Sequence, residues 1–181
     1  NAILYEFDTE RNSLKFSIKR QYKHQFKEWL DVIDENEVFR GKVIKYFENS
    51  VQIELTQKNL IVQAFVLRKD ISNLAFVEQS DLQYYLPINE YFSFYISEIN
   101  ETIQTISLTR AEYLKQAELP KFGQSITVKY VKENHSKGYF YSDEIEGWTN
   151  LPDNNISFGT DVEVLLISST TREFTIVESN T

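Results

Sequence analysis

The chain has no cysteine and no methionine, and only two histidines, five glycines and three prolines among 181 residues. Without cysteine there are no disulfides, no thiolate metal sites and no thiol nucleophile. With His24 and His135 as the sole imidazoles, a histidine-rich metal centre is not expected either. The scarcity of glycine and proline rules out collagen-like and low-complexity chains. Long hydrophobic runs are also missing. The longest mostly apolar stretch, Leu60 to Leu67, has eight residues and includes Gln63, whereas a membrane span needs about 20. Positive charge is in short supply: 19 Lys and Arg face 27 Asp and Glu, a net of −8. That balance disfavours strong non-specific binding to nucleic acid, which depends on excess positive charge. The opening Asn1-Ala2-Ile3-Leu4-Tyr5 has neither the basic leader nor the long apolar stretch of a signal peptide. It reads as a strand already under way, so the chain is expected to be a piece of a longer protein. The absence of cysteine fits a reducing, cytoplasmic setting.

What is present is a high aromatic content, 13 Phe, 11 Tyr and 2 Trp, within 41% hydrophobic residues, enough for a packed core. The most informative pattern is internal repetition. Leu4 to Asp8 followed by Leu14 to Arg20 alternates apolar and polar residues around a polar turn. The same pattern returns at Tyr95 to Asn100 with Gln104 to Arg110, and at Val162 to Ile167 with Arg172 to Val177. Period-two alternation marks half-buried strands, so one hairpin closes three successive units. The first copy, residues 1–20, stands as the closing hairpin of a truncated unit. Residues 21–36 form a linker helix, because Tyr22, Phe26, Trp29, Leu30 and Ile33 fall on one helical stripe. Two complete units follow, at 37–116 and 117–181, the first ending in a short helix from Ala111 stopped by Pro120.

Each complete unit reads as five short strands. In the first they are Val38–Tyr46, Val51–Leu55, Ile61–Val66, Tyr91–Ile99 and Thr105–Thr109; in the second, Ser125–Val131, Gly138–Ser142, Gly147–Thr149, Asp161–Ile167 and Glu173–Val177. A longer connection between the third and fourth strands, Ser72 to Tyr85, should hold a short helix. The expected fold class is therefore mostly β: tandem five-stranded OB-fold barrels joined by short helices.

The order of motifs resembles the RNA-binding domain repeated in ribosomal protein S-one. Gly41-Lys42-Val43 is similar to that family's opening strand, Ala64 to Ser72 to its third strand and the turn after it, and Tyr91 to Thr109 to its closing hairpin. Gly138 to Tyr141, Gly147 to Pro152 and Phe158-Gly159 repeat the landmarks. The resemblance implies an OB fold that holds RNA through aromatics on strands two and three, a histidine on strand three, and an acidic and a basic residue near the last hairpin. Here Asn49 and Gln52 stand at the aromatic positions of the first complete unit, Leu67 at the histidine position and Asn100 at the acidic one. In the second unit Phe140 matches an aromatic, Arg172 the basic residue, Asn150 stands for the histidine and Ser168 for the acid. The truncated unit keeps Asp8, with Arg11 and Lys15 near it.

Read residue by residue, Arg40, Lys42, Lys45, Arg68 and Lys69 could form a phosphate-facing patch beside Tyr46 and Phe47, or an ordinary solvated face. Lys129, Lys132, His135, Lys137, Phe140 and Trp148 mix cations with rings. Trp148 is expected in the core, and Phe140 can be read either as core or as a stacking ring. Leu119 to Thr181 carries five basic residues against nine acidic ones, which argues against strong binding there. Asp143, Glu144 and Glu146 are expected in a solvated loop. No nucleophile elbow, phosphate-cradling glycine loop or His–carboxylate pairing is present, so neither an enzyme nor a cofactor or metal is expected. The expected partner is single-stranded RNA, bound weakly or as part of a composite site. The alternative is a protein partner, for a docking or spacer module that has lost its RNA-binding face. No membrane association is expected.

Overall fold

A computed structural model describes residues 3–8, 13–151 and 155–177, with side chains from residue 23 onward. Arg11 therefore lies outside the described residues, and only the backbone of Asp8, Lys15, Arg20 and Tyr22 is described. Strands β1 (Ile3–Asp8) and β2 (Ser13–Ser17) pair as an antiparallel hairpin, and α1 (Ile18–Leu30) follows directly. The helix begins at Ile18, within the residues read as hairpin, and ends at Leu30, before Ile33. Phe26 and Trp29 are buried in the core of the next unit, with the Trp29 ring 5.7 Å from Phe39.

The first barrel consists of β3 (Phe39–Tyr46), β4 (Ser50–Gln57), β5 (Leu60–Leu67), β6 (Tyr91–Asn100) and β7 (Thr105–Thr109). Its strands run β3-β4-β5-β7-β6 and close back on β3, with β5 and β7 parallel and the other pairs antiparallel. Alternation supplies the interior: Val51, Ile53 and Leu55 from β4 meet Val62, Ala64 and Val66 from β5, all essentially inaccessible. Lys58 and Asn59 join these strands with φ of 47° and 68°, the paired left-handed conformations of a tight hairpin turn whose twist matches its strands. The second barrel repeats the order with β8 (Ser125–Asn134), β9 (Lys137–Tyr141), β10 (Glu146–Asn150), β11 (Asp161–Ser168) and β12 (Glu173–Ile176). This shared strand order makes both barrels OB folds, and a longer connection bridges strands three and four of the first. In the first, that connection holds α2 (Leu82–Tyr85), which buries Leu82 and Tyr85. The helix α3 (Ala111–Gln116) joins the barrels.

The joint between the barrels is polar, buried and built around one cation. Arg110, at the end of the first barrel's closing hairpin, has no accessible surface. Its guanidinium lies 5.1–5.8 Å from the ring centroids of Phe92, Phe94, Tyr113 and Tyr141. Nε donates to the Tyr141 hydroxyl at 2.9 Å, Nη1 to Ser93 O and to Asp143 Oδ1, the latter at 3.0 Å, and Nη2 to the carbonyls of Ser142 and Asp143. The Tyr141 hydroxyl in turn donates to Ile71 O at 2.9 Å. Beside this, Glu146 is 1% exposed and accepts from Ser72 Oγ at 2.7 Å and from the backbone and side-chain amides of Asn73. The solvated acidic loop expected from the sequence is thus corrected: Asp143 and Glu146 are fasteners, because each faces donors from the first barrel. A bulge between Tyr130 and Lys132 assists. It gives Val131 an extra place on β8, and Val131 and Tyr141 join the first barrel's core cluster.

Burial in this joint pushes the phenols of Tyr85 and Tyr141 far above the usual tyrosine value of 10.0, as it does for Tyr130 inside the second barrel. The folded state therefore holds these groups neutral, and it is the unfolded chain that releases their protons first. Their stabilising contribution is complete below about pH 10 and is lost as pH rises beyond it. We expect the urea midpoint to fall steeply between pH 10 and alkaline extremes and to recover partly in Tyr141→Phe relative to its own neutral-pH value. A flat midpoint through that range would contradict the burial described.

Candidate nucleic-acid interface

The cations singled out in the first barrel lie on β3 (Arg40, Lys42, Lys45) and just past β5 (Arg68, Lys69), and do not form one patch. Arg40 and Lys42 point outward at the start of β3, where Lys42 sits opposite Glu54 on one side and Tyr91 on the other. Arg40 is seven positions from Phe47 along the chain, roughly 23 Å at strand spacing, too far to share a nucleotide with it.

The second group forms because β3 changes phase. A bulge between Val43 and Lys45 shifts the register, so that Lys45 opposes Gln52 and Tyr46 opposes Val51. Without the bulge, with Ile44 in a regular ladder place, the outward run of Arg40 and Lys42 would continue to Ile44 and Tyr46. With the bulge, Lys45 and Phe47 face out instead. Phe47 is 39% exposed, its ring centroid lies 6.1 Å from that of half-buried Phe65, and Lys45 Nζ sits 5.1 Å from the Phe47 centroid. Phe65 opposes Gln52 on β4 and Ser107 on β7, so the pair lies across the outer face of strands one to three. Tyr46 does not belong to it, which corrects the expectation: its side chain turns toward the core and donates from its hydroxyl to Leu86 O at 2.8 Å. Burial holds that phenol above its usual value. Lys69 is exposed just past β5, in the turn that follows it.

In the second barrel the expected set disperses. Phe140 is 2% exposed, packed between Tyr130 and Phe174 at centroid distances of 5.8 and 6.5 Å. Of its two readings the core one holds, and Phe140 offers no ring to a ligand. Trp148 is corrected in the opposite sense. A Cβ on neighbouring Gly147 would fall 2.4 Å from the Phe174 ring, so the barrel interior is already filled there. Trp148 instead lies half-buried on the outside, donating from Nε1 to Thr171 O at 2.8 Å, with Lys137 Nζ 3.7 Å from its ring. Lys129 pairs with Asp161 at 3.1 Å and Lys132 with Asp81 at 2.6 Å. Arg172 is turned to the joint, where Nη2 donates to Leu114 O at 2.6 Å, and is not free to meet a ligand. Asn150 is exposed at the end of β10 opposite Lys137.

Among solved structures, a multidomain Streptococcus pneumoniae protein with nucleic acid binding domains aligns over 99% of this chain and 60% of its own, at 10% identity and a TM-score of 0.49. A complex of aIF2α, Dim2p and rRNA from Pyrococcus horikoshii aligns over 46% and 48%, at 15% identity and a TM-score of 0.40. GSP13 from Bacillus subtilis aligns over 51% and 65%, at 20% and 0.39. In each case the chain spans less than two thirds of the matched structure's length. No family model and no curated protein matches the chain.

Phe65 and Arg110 are the two residues that sequence reading passed over. Phe65 sits in the apolar stretch Ile61 to Val66, where alternation marks it as outward, since Ala64 and Val66 take the inward places. Arg110 stood in plain view as the basic end of the second closing hairpin. Nothing local to the sequence indicated that it would be enclosed.

Proposed function

We propose that the chain is a single-stranded RNA-binding module whose contact surface is the Phe47–Phe65 pair with Lys45, on the outer face of the first barrel. The observation that carries this reading is two aromatic rings held side by side at the surface beneath a lysine. Bases stack on such rings and phosphates meet the cation, without any demand on sequence. The motif order that resembles the ribosomal protein S-one domain points to the same face of strands two and three. Affinity is low, because the chain is net negative and the ring pair is small. A docking or spacer role fits the second barrel better, since Lys129, Lys132 and Arg172 are all engaged within the chain itself.

Fluorescence anisotropy with a short oligo-uridine at about 50 mM salt tests the reading where electrostatic contributions are still visible. The unmutated chain is expected to bind. Phe65→Ala should weaken binding about tenfold, the loss of one stacked base, and Lys45→Ala should weaken it and flatten its salt dependence. No binding by the unmutated chain would leave the protein-docking role in its place.

A further inference from the structure

Next to the ring pair lies a second ring–cation unit that the proposed function does not use. Arg68 follows β5 directly and lays its guanidinium 5.3 Å from the centroid of the Phe76 ring, which is 53% exposed. Arg68 is only loosely held. Nη2 donates to Asn49 Oδ1 at 3.3 Å, Nη1 lies 3.5 Å from Glu78 Oε2, and Nε is buried with no acceptor. Those two distances are at the long end for hydrogen bonds. Asn49, Leu67, Arg68, Lys69 and Phe76 line an open hollow of about 220 Å³. Its floor is a ring and an aliphatic side chain. Its polar side chains present donors, the Arg68 guanidinium, the Lys69 ammonium and the Asn49 amide nitrogen, since Arg68 already engages the Asn49 side-chain oxygen; the Glu78 carboxylate beside Arg68 is not among the residues that line the hollow.

We propose that this hollow is a base slot selective for guanine, taking the nucleotide next to the one stacked on Phe47–Phe65. The inference rests on the RNA-binding reading above. Phe65 and Leu67 lie two positions apart on one face of β5, about 7 Å, so slot and ring pair are adjacent. Guanine presents N7 and O6 as neighbouring acceptors, whereas adenine places a donor beside its N7. Uracil carbonyls flank an N–H. Cytosine has paired acceptors in N3 and O2, but its single ring covers less of Phe76 than a purine does. In a single strand these edges are free to be read.

The test uses the full chain and four labelled oligo-uridines: unmodified, or with one central G, A or C. The G-containing strand should bind about tenfold tighter than the A-containing one, the scale of one bidentate base contact. Arg68→Lys keeps the charge but removes the planar fork. It should abolish that preference while leaving oligo-uridine affinity unchanged, and so should Asn49→Ala. Phe65→Ala should instead weaken all four alike. Equal binding of all four strands, or a guanine preference that survives both slot variants, overturns the slot and leaves the RNA reading standing. Failure of the unmutated chain to bind any strand overturns both.

Discussion

Replacing Arg110 with methionine is expected to destabilise the protein by about 3–5 kcal/mol, the usual penalty for removing one member of a buried ion pair. The arithmetic is set by what remains. The Asp143 carboxylate loses its cation, and the carbonyls of Ser93, Ser142 and Asp143 lose their donor in a place from which water is largely kept out. Methionine fills much of the volume and touches the same four rings, so the loss reports on charge and hydrogen bonding more than on a cavity. A second effect separates this joint from an ordinary core contact. Since Arg110 ties the first barrel to the β9–β10 connection, its loss should turn one unfolding transition into two. Circular dichroism follows both barrels during urea unfolding. Fluorescence follows Trp29, packed on the first barrel, and Trp148, on the second. A single superimposable transition with an unchanged midpoint would show that the barrels are held together by something other than this residue.

Phe140→Ala is the second large effect, about 3–5 kcal/mol for truncating a buried phenylalanine. The ring fills the middle of the second barrel against Tyr130 and Phe174, and flanking strands can close only part of the space left behind. Thermal denaturation should show the loss in the second barrel. Oligo-uridine affinity of the folded fraction should stay at the level of the unmutated chain, because the ring faces no ligand. Reduced affinity at full stability would reverse the assignment of Phe140 and return it to the surface.

Phe140 also shows where sequence reading stopped. Strand placement followed from alternation, which is local, and all ten barrel strands lie within a few residues of where that pattern puts them. Which side of a strand faces inward is less local. Gly138-Tyr139-Phe140-Tyr141 alternates correctly, but either phase was compatible with it until β8 and the Tyr130 ring were in place. Trp148 failed for the same reason, since Phe174 from a distant strand had already filled the interior beside Gly147. The acidic residues Asp143 and Glu146 looked solvated because charge usually is. Their partners come from Arg110, Ser72 and Asn73, at least 33 positions away. The candidate site moved from a broad basic stripe to a compact ring pair because a bulge leaves no signature in residue type.

That bulge gives the proposed interface an unusual kind of vulnerability. Its surface chemistry depends on Ile44 staying out of the ladder: were that residue to pair regularly, Lys45 and Phe47 would turn into the barrel and Tyr46 out to solvent. Deleting Ile44 would leave plain alternation, with Val43 inward, Lys45 outward, Tyr46 inward and Phe47 outward as they are now, so the outward ring and lysine would survive the loss of the bulged residue itself.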